Sequence, residues 1–223
     1  MHIVLVVKSL LRKAHRKLFL EPVSLLVGAS FSDGNISKAR ERIATQETAM
    51  YVNERLSHVS PVDTCAKVHD IAIASICDYD GMILEFGVYT GRTLNYIARS
   101  IPDKIVDGFD SFDGLPEFWR DGFGKGHFAV DHLPPVELNV RLHTGWFEDS
   151  LPEFLGQMPL DKAVAYLHVD CDLYSSAKTI FDALSDRITS GTIIVFDEYF
   201  NYPGWRQGEF KAFQEFTAIH GRS

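Results

Sequence analysis

Met82-Ile-Leu-Glu-Phe-Gly-Val-Tyr-Thr-Gly91 is the stretch on which the reading of this 223-residue chain turns. Met82–Phe86 has the length and apolarity of a buried strand. Gly87 and Gly91 then let the backbone turn sharply and approach a ligand closely, and a helix opens whose first N–H groups are free to meet an anion. A dinucleotide fingerprint would need three glycines as G-x-G-x-x-G. Here the spacing is G-x-x-x-G, with Glu85 two residues ahead. An acid beside free amides suits a ligand carrying both an ammonium and a carboxylate, as the methionine end of S-adenosylmethionine does. An ordinary tight strand–helix turn also needs two glycines, so the motif alone leaves both readings open.

Downstream the same alternation repeats. Short apolar runs at Ile105–Phe109, Val140–His143, Val164–Val169 and Thr192–Phe196 are separated by amphipathic segments. In one of these, Ala177, Ile180, Phe181, Leu184 and Ile188 form a stripe that ends at Gly191. In another, Phe210, Phe213 and Phe216 share a face. Strand-length runs separated by helices predict an α/β fold, a Rossmann-like parallel sheet with helices on both faces. Ligands of such sheets bind beyond the carboxyl ends of the strands. The residues that follow the runs are Glu85 and Gly87, Asp110, Gly145-Trp146, Asp170 and Asp172, and Asp197 with Glu198. An acid or glycine recurs at one edge, which solubility alone does not explain.

Upstream, residues 1–60 read as a separate helical cap or oligomer segment. It holds a turn at Ser32-Asp33-Gly34-Asn35 and a charged helix from Ser37 to about Leu56. Pro61 marks the boundary of a second unit, 61–223, which begins with helical spacing of Val68, Ile71, Ala72, Ile76 and Tyr79. Hydrophobic residues make up 46% of the chain, enough for a full core. The formal net charge of -8 argues against non-specific nucleic-acid binding, which needs clustered cations. The basic stretch Lys8–Lys17 reads either as a solvated helix face or as a contact for an anionic partner. Ile3–Val7 is too short to span a bilayer and no cleavage signal follows it, so neither a membrane span nor a signal peptide is expected. Cys65, Cys77 and Cys171 show no metal-type spacing and no paired framework. A reducing, cytoplasmic setting is the expectation.

The edge residues divide into two candidate groups. Asp110, about 20 residues beyond Gly87, is placed to accept the hydroxyls of an adenosine ribose, with Ser111 beside it. The turn-rich Asp110-Ser-Phe-Asp-Gly114 allows a purely structural role as well. Trp146 follows the third run, where it can stack on adenine or join the core. If the fourth and fifth runs are neighbours, Asp170, Asp197 and Glu198 converge, and their repulsion calls for protons or a cation. Oxygen ligands without a cysteine pair favour Mg²⁺, Mn²⁺ or Ca²⁺. Such an ion would lower the pKa of an acceptor hydroxyl. Asp172, ahead of Ser175 and Ser176, reads instead as a helix cap.

Several pieces, in order, resemble the macrocin O-methyltransferase (TylF-type) family of class I methyltransferases. They are Glu85-Phe-Gly-Val, Gly108-Phe-Asp-Ser-Phe-Asp-Gly-Leu-Pro116, Gly145-Trp-Phe-Glu-Asp-Ser-Leu-Pro152, Leu167-His-Val-Asp-Cys-Asp-Leu-Tyr174 and Phe196-Asp-Glu-Tyr199. The resemblance runs from about Met82 to Phe216. It implies S-adenosylmethionine held by Glu85, Gly87, Gly91, Asp110, Ser111 and Trp146, and a small-molecule hydroxyl acceptor. It also implies Mg²⁺ on Asp170, Asp197 and Glu198, where the best-known members have an Asp at the last position. Asp170, His127 and His168 are the catalytic candidates, and His132 is a further histidine of the same loop. Class I members usually add a strand pair after the last helix. This sequence stops at His220-Gly-Arg-Ser223, so either it is cut short, the fold ends early, or a partner completes the sheet; an early end would leave an apolar edge. Two other readings stay open: an NAD-dependent oxidoreductase, which lacks its third glycine, and a non-catalytic cofactor-binding or scaffold domain.

Overall fold

The computed structural model describes residues 4–7, 35–78 and 80–221. The elements are β1 (Val4–Val7), α1 (Ile36–Arg55), α2 (Cys65–Ala74), β2 (Met82–Phe86), α3 (Arg92–Ser100), β3 (Val106–Asp110), β4 (Val140–Thr144), α4 (Phe147–Gly156), β5 (Val164–Val169), α5 (Tyr174–Ala183), β6 (Ile193–Phe196), a 3₁₀ turn at Trp205–Gln207 and α6 (Glu209–Ile219). All strand pairs are parallel, in the order β1-β6-β5-β2-β3-β4. The five runs read from sequence are β2 to β6, and the predicted α/β class holds. Among the described residues no helix is long and apolar enough to cross a membrane.

Both faces of the sheet are covered, which is why the inner strands read as continuous apolar runs rather than as alternation. Met82, Leu84 and Phe86 point to one face, into a core shared with α4, α5 and α6. Ile83 points to the other, with Leu94 and Ile97 of α3 and Val68 and Ala72 of α2. By the same alternation Glu85 and His168 fall on the α2–α3 face, and both are fully buried.

The chain winds from β2 outward to β3 and β4, then returns to place β5 on the other side of β2, followed by β6. The direction of winding therefore reverses between β2 and β5, and a crevice opens at such a switch point. The Ala177–Phe181 stripe packs against α6, with the Phe181 ring centroid 5.7 Å from Phe213 and 5.1 Å from Phe216. Helix α1 is capped by Asn35, whose side chain accepts from the Lys38 amide at 3.2 Å. Its Tyr51 packs edge-on against Trp205 at 5.6 Å and Phe210 at 5.5 Å.

Within the expected helical segment 1–60, α1 is helical whereas Val4–Val7 forms a strand paired with Ile193–Phe196 of β6. That strand lies along the edge of β6 that the sequence left open. The basic stretch Lys8–Lys17, the first residues of the Ser32–Asn35 turn and Tyr79 lie outside the described residues.

Phe181 joins α5, β6 and α6 from a position 1% exposed. Phe181→Ala should cost about 3–5 kcal/mol through lost burial and a residual cavity, seen as a lower urea midpoint. A loss below about 1 kcal/mol would show that this layer does not hold the helices to the sheet.

Candidate active site at the switch point

The strand ladder runs on past the strand ends. The Gly87 amide donates to Phe109 O at 2.9 Å, Asp170 to Phe86 O at 2.9 Å, Asp197 to Val169 O at 3.0 Å and Gly145 to Asp110 O at 3.0 Å. Each loop therefore leaves the sheet in a fixed register beside its neighbour. Gly87 has φ +93, and a Cβ there would lie 1.9 Å from the carbonyl oxygen of Asp170. Only glycine allows β2 and β5 to diverge at this distance. Gly91, at φ +74, starts α3 without a side-chain cap.

A cleft of about 1110 Å³ lies over this edge. Glu85, Gly87, Asp110, Ser111 and Trp146 line one part of it, and Asp170, Asp172, Asp197 and Glu198 another. The structure thus brings together most of the edge residues named from sequence. Gly91, His127, His132 and His168 are not among the lining residues. Gly91 lies beneath, against Pro134 and Asn95. His127 and His132 are exposed, and the His127 ring packs against Phe123 and Phe128 at 4.7 and 4.4 Å.

The Asp110 carboxylate is used by the backbone. Oδ2 accepts from the amides of Val88 at 2.8 Å and Tyr89 at 2.7 Å, and Oδ1 accepts from Phe112 at 2.8 Å. Asp110 therefore ties the glycine turn to the end of β3 while facing the cleft. The turn role and the binding role meet in one residue.

Glu85 and His168 stand opposite each other on β2 and β5. His168 Nδ1 lies 2.8 Å from Glu85 Oε2. Behind them, His69 of α2 meets the His168 ring edge-on at 4.8 Å, and its Nδ1 lies 2.5 Å from the Tyr166 hydroxyl. Burial, then the Glu85 charge, pushes the Tyr166 hydroxyl far above its usual range. Sequence patterning missed His69 and Tyr166, because each sits within an apolar helix or strand pattern with nothing to set it apart.

At the carboxyl ends of β5 and β6, one ligand atom each from His168, Asp170 and Asp197 lie within 4.8 Å of one another. Glu198, expected in that group, has its Oε1 3.9 Å from the Arg120 guanidinium. That guanidinium is stacked 4.0 Å over Trp119 and 4.6 Å over Phe123. Glu117, which accepts from Ser175 Oγ at 2.7 Å, adds to the acid at this end.

Residues 84–199, just over half of the chain, match a family described as a methyltransferase domain. The chain belongs to this methyltransferase family. Two curated relatives are similar over part of it. A demethyldecarbamoylnovobiocin O-methyltransferase of Streptomyces niveus is 27% identical over 147 residues, 55% of this chain and 54% of that protein. A tetracenomycin-C rhamnosyl 4'-O-methyltransferase of Streptomyces olivaceus is 28% identical over 144 residues, 53% of each. The chain spans about half the length of the curated relatives it matches. The solved structure of a calicheamicin methyltransferase superposes with a TM-score of 0.60 at 23% identity, covering 82% of this chain and 85% of that one. That of the O-methyltransferase NovP gives 0.50 at 23%, covering 71% and 73%. At these identities the structural likeness is one of fold, and the methyltransferase sheet is what they share.

The Gly87 geometry yields a direct test. Gly87→Ala places a methyl group against backbone, so the β2 and β5 loops must separate. The substitution should destabilise the chain by roughly 1–3 kcal/mol and abolish nucleoside binding. An alanine variant with wild-type stability and ligand affinity would show that the close approach is dispensable.

Glu209 of α6 is fully buried, and its carboxyl is held well above the usual range. Burial is the main cause, followed by the charge of Asp172; the Cys171 amide works in the opposite direction, and Glu198 and Asp197 add to the rise. The folded chain thus holds this proton more tightly than the unfolded chain, where a glutamate titrates near about 4.3. Stability from this group is full below that pH and is lost as pH climbs through the folded value. Glu209→Gln should flatten that fall in urea midpoints measured across the range. An unchanged slope would locate the titration elsewhere.

Proposed function

We propose that this chain catalyses O-methylation, with S-adenosylmethionine as donor and a hydroxyl of a sugar or glycosylated natural product as acceptor. The observation that carries the reading is one cleft with two chemically distinct ends, a glycine turn with Glu85 and Asp110 at one and the Asp170–Asp197 pair at the other. The family match supports methyl transfer, and the names of both Streptomyces relatives support an oxygen acceptor on a natural product. The ordered motifs of the macrocin type support that branch of the family.

S-adenosylmethionine supplies a methyl group on a cationic sulfur, so the chain need not activate the donor. Glu85 faces the ammonium, the first amides of α3 face the carboxylate, Asp110 and Ser111 face the ribose, and Trp146 covers the adenine. Asp170 and Asp197 orient the acceptor hydroxyl, and a carboxylate takes its proton as the oxygen bonds to the methyl carbon. The carbon–sulfur bond breaks with its electron pair left on sulfur, giving a methyl ether and S-adenosylhomocysteine. His127 lies outside the cleft and His168 is engaged by Glu85, so Asp170 is the preferred base among the three candidates.

The donors at the acidic end, two carboxylates with an imidazole nearby, suit a divalent cation such as Mg²⁺ or Mn²⁺. Asp170 and Asp197 would hold it, with Glu198 as the third ligand expected from the family, and it would lower the pKa of the acceptor hydroxyl. Of residues 1–60, α1 serves in this reading as a cap or an oligomer contact beside the catalytic unit, whereas Val4–Val7 belongs to its sheet.

Calorimetry should detect S-adenosylhomocysteine binding and no NAD binding, with Asp110→Ala losing roughly 1–3 kcal/mol of affinity. Labelled methyl transfer to a panel of rhamnosides should stop with chelator or in Asp197→Asn and return with Mg²⁺. Tight NAD binding without S-adenosylhomocysteine binding would overturn the reading. Full turnover under chelation would remove only the metal from it.

A further inference from the structure

The loop after β5 presents Asp170 to the cleft, yet its shape comes from a residue of α6. Between Asp170 and α5 the backbone makes a very tight turn. The Leu173 amide donates to Cys171 O at 2.7 Å, and Asp172 between them has φ 65. A two-residue closure through a left-handed, non-glycine residue is the rare, strained form of the γ-turn. Something outside the loop must hold it.

Glu209 does so. Its Oε1 accepts from the Cys171 amide and the Asp172 amide, both at 3.0 Å, and from the Cys171 thiol at 3.7 Å. Glu209 is 0% exposed. It stands in the first turn of α6 behind Gly208, where a Cβ would meet the Tyr202 hydroxyl at 2.3 Å. The missing side chain at Gly208 lets the helix start directly beneath the loop. Two amides that the turn leaves inside the protein therefore share one carboxyl oxygen, and without it both would be buried unsatisfied.

The turn has contacts on each side. Upstream, the Asp170 amide is bound to Phe86 and its carbonyl lies against Gly87. Downstream, Ser175 and Ser176 of α5 line the cleft. We infer that Glu209 is a positioning residue for the reaction. By binding the Cys171 and Asp172 amides it fixes the direction in which Asp170 projects and the place where α5 begins. The inference rests on the reading of Asp170 as an acceptor-side carboxylate. Glu209 itself touches neither substrate in that reading.

The test uses the full chain with Glu209→Ala, Glu209→Asp and Glu209→Gln. Hydrogen exchange of single amides, followed by NMR, should accelerate for Cys171 and Asp172 by roughly tenfold or more in the Ala and Asp variants. The Gly87 and Asp197 amides should stay close to wild type. Gln keeps an acceptor oxygen at the same reach and should restore protection. If the Ala variant does not fold, the Asp variant, one methylene shorter, gives the same reading. Mn²⁺ titration, the second readout, should weaken by roughly tenfold with Ala or Asp and recover with Gln, while S-adenosylhomocysteine affinity stays within about twofold throughout.

Unchanged protection of both amides in the Ala and Asp variants, or a Gln variant as impaired as Ala, would overturn the inference. Lost protection with unaltered Mn²⁺ affinity would reduce Glu209 to a purely structural residue and overturn it equally. A wild-type chain that binds no Mn²⁺ would fail the metal reading of the site, and a chain that binds no S-adenosylhomocysteine would fail the donor reading. The exchange result would still decide whether Glu209 holds the turn.

Discussion

The close approach of Gly87 to the Asp170 carbonyl is the constraint on which the rest of the site depends. Two parallel strands must pair to their last residue and then part, one chain turning into α3 and the other into α5. A side chain at position 87 would occupy the space that the Asp170 carbonyl fills. Because the strands stay paired so far, the amide of Asp170 is still bound to Phe86 when its side chain reaches the cleft. The Gly87 turn and the Asp170 loop are therefore neighbours on adjacent strands, which fixes their separation without any flexible connection.

Around that point the protein organises carboxyl groups by giving them different partners. Asp110 is bound by three backbone amides, Glu85 Oε2 by a buried histidine, and Glu209 Oε1 by two amides and a thiol. Asp170 and Asp197 lie together at the open edge of the cleft. Three acids thus hold the frame, and Asp170 and Asp197 line the cleft. An unbalanced cluster of this size would repel itself. Placing Asp110 and Glu209 on backbone amides and Glu85 on a histidine separates these carboxyls from the Asp170–Asp197 pair.

The alternation of strand-length runs with helical stripes was sufficient to read the sheet, because both of its faces are buried and apolarity there is nearly continuous. The acids and glycines at the strand ends were legible for the same reason: a polar residue ending an apolar run marks the rim. Partners that come from distant elements were not legible. His69 and Tyr166 interrupt apolar patterns as isolated residues, and Glu209 reads as an ordinary first-turn acid of a helix, which gives no hint of burial. The strand at Val4–Val7 is also a tertiary effect. Four apolar residues carry too little periodicity to separate strand from helix until β6 offers an edge. His127 and His132 lie in the loop where the family resemblance suggests a base, but both are exposed and neither lines the cleft.

The central claim is that one cleft at the β2–β5 switch point holds the methyl donor and points its sulfur at the Asp170–Asp197 pair. A crystal structure of the chain with S-adenosylhomocysteine tests this most directly. The account predicts the nucleoside over Gly87, Asp110 and Trp146, with the amino-acid end beside Glu85 and the sulfur facing the two aspartates. Density for the ligand elsewhere, or in this cleft with its sulfur directed away from Asp170 and Asp197, would contradict it.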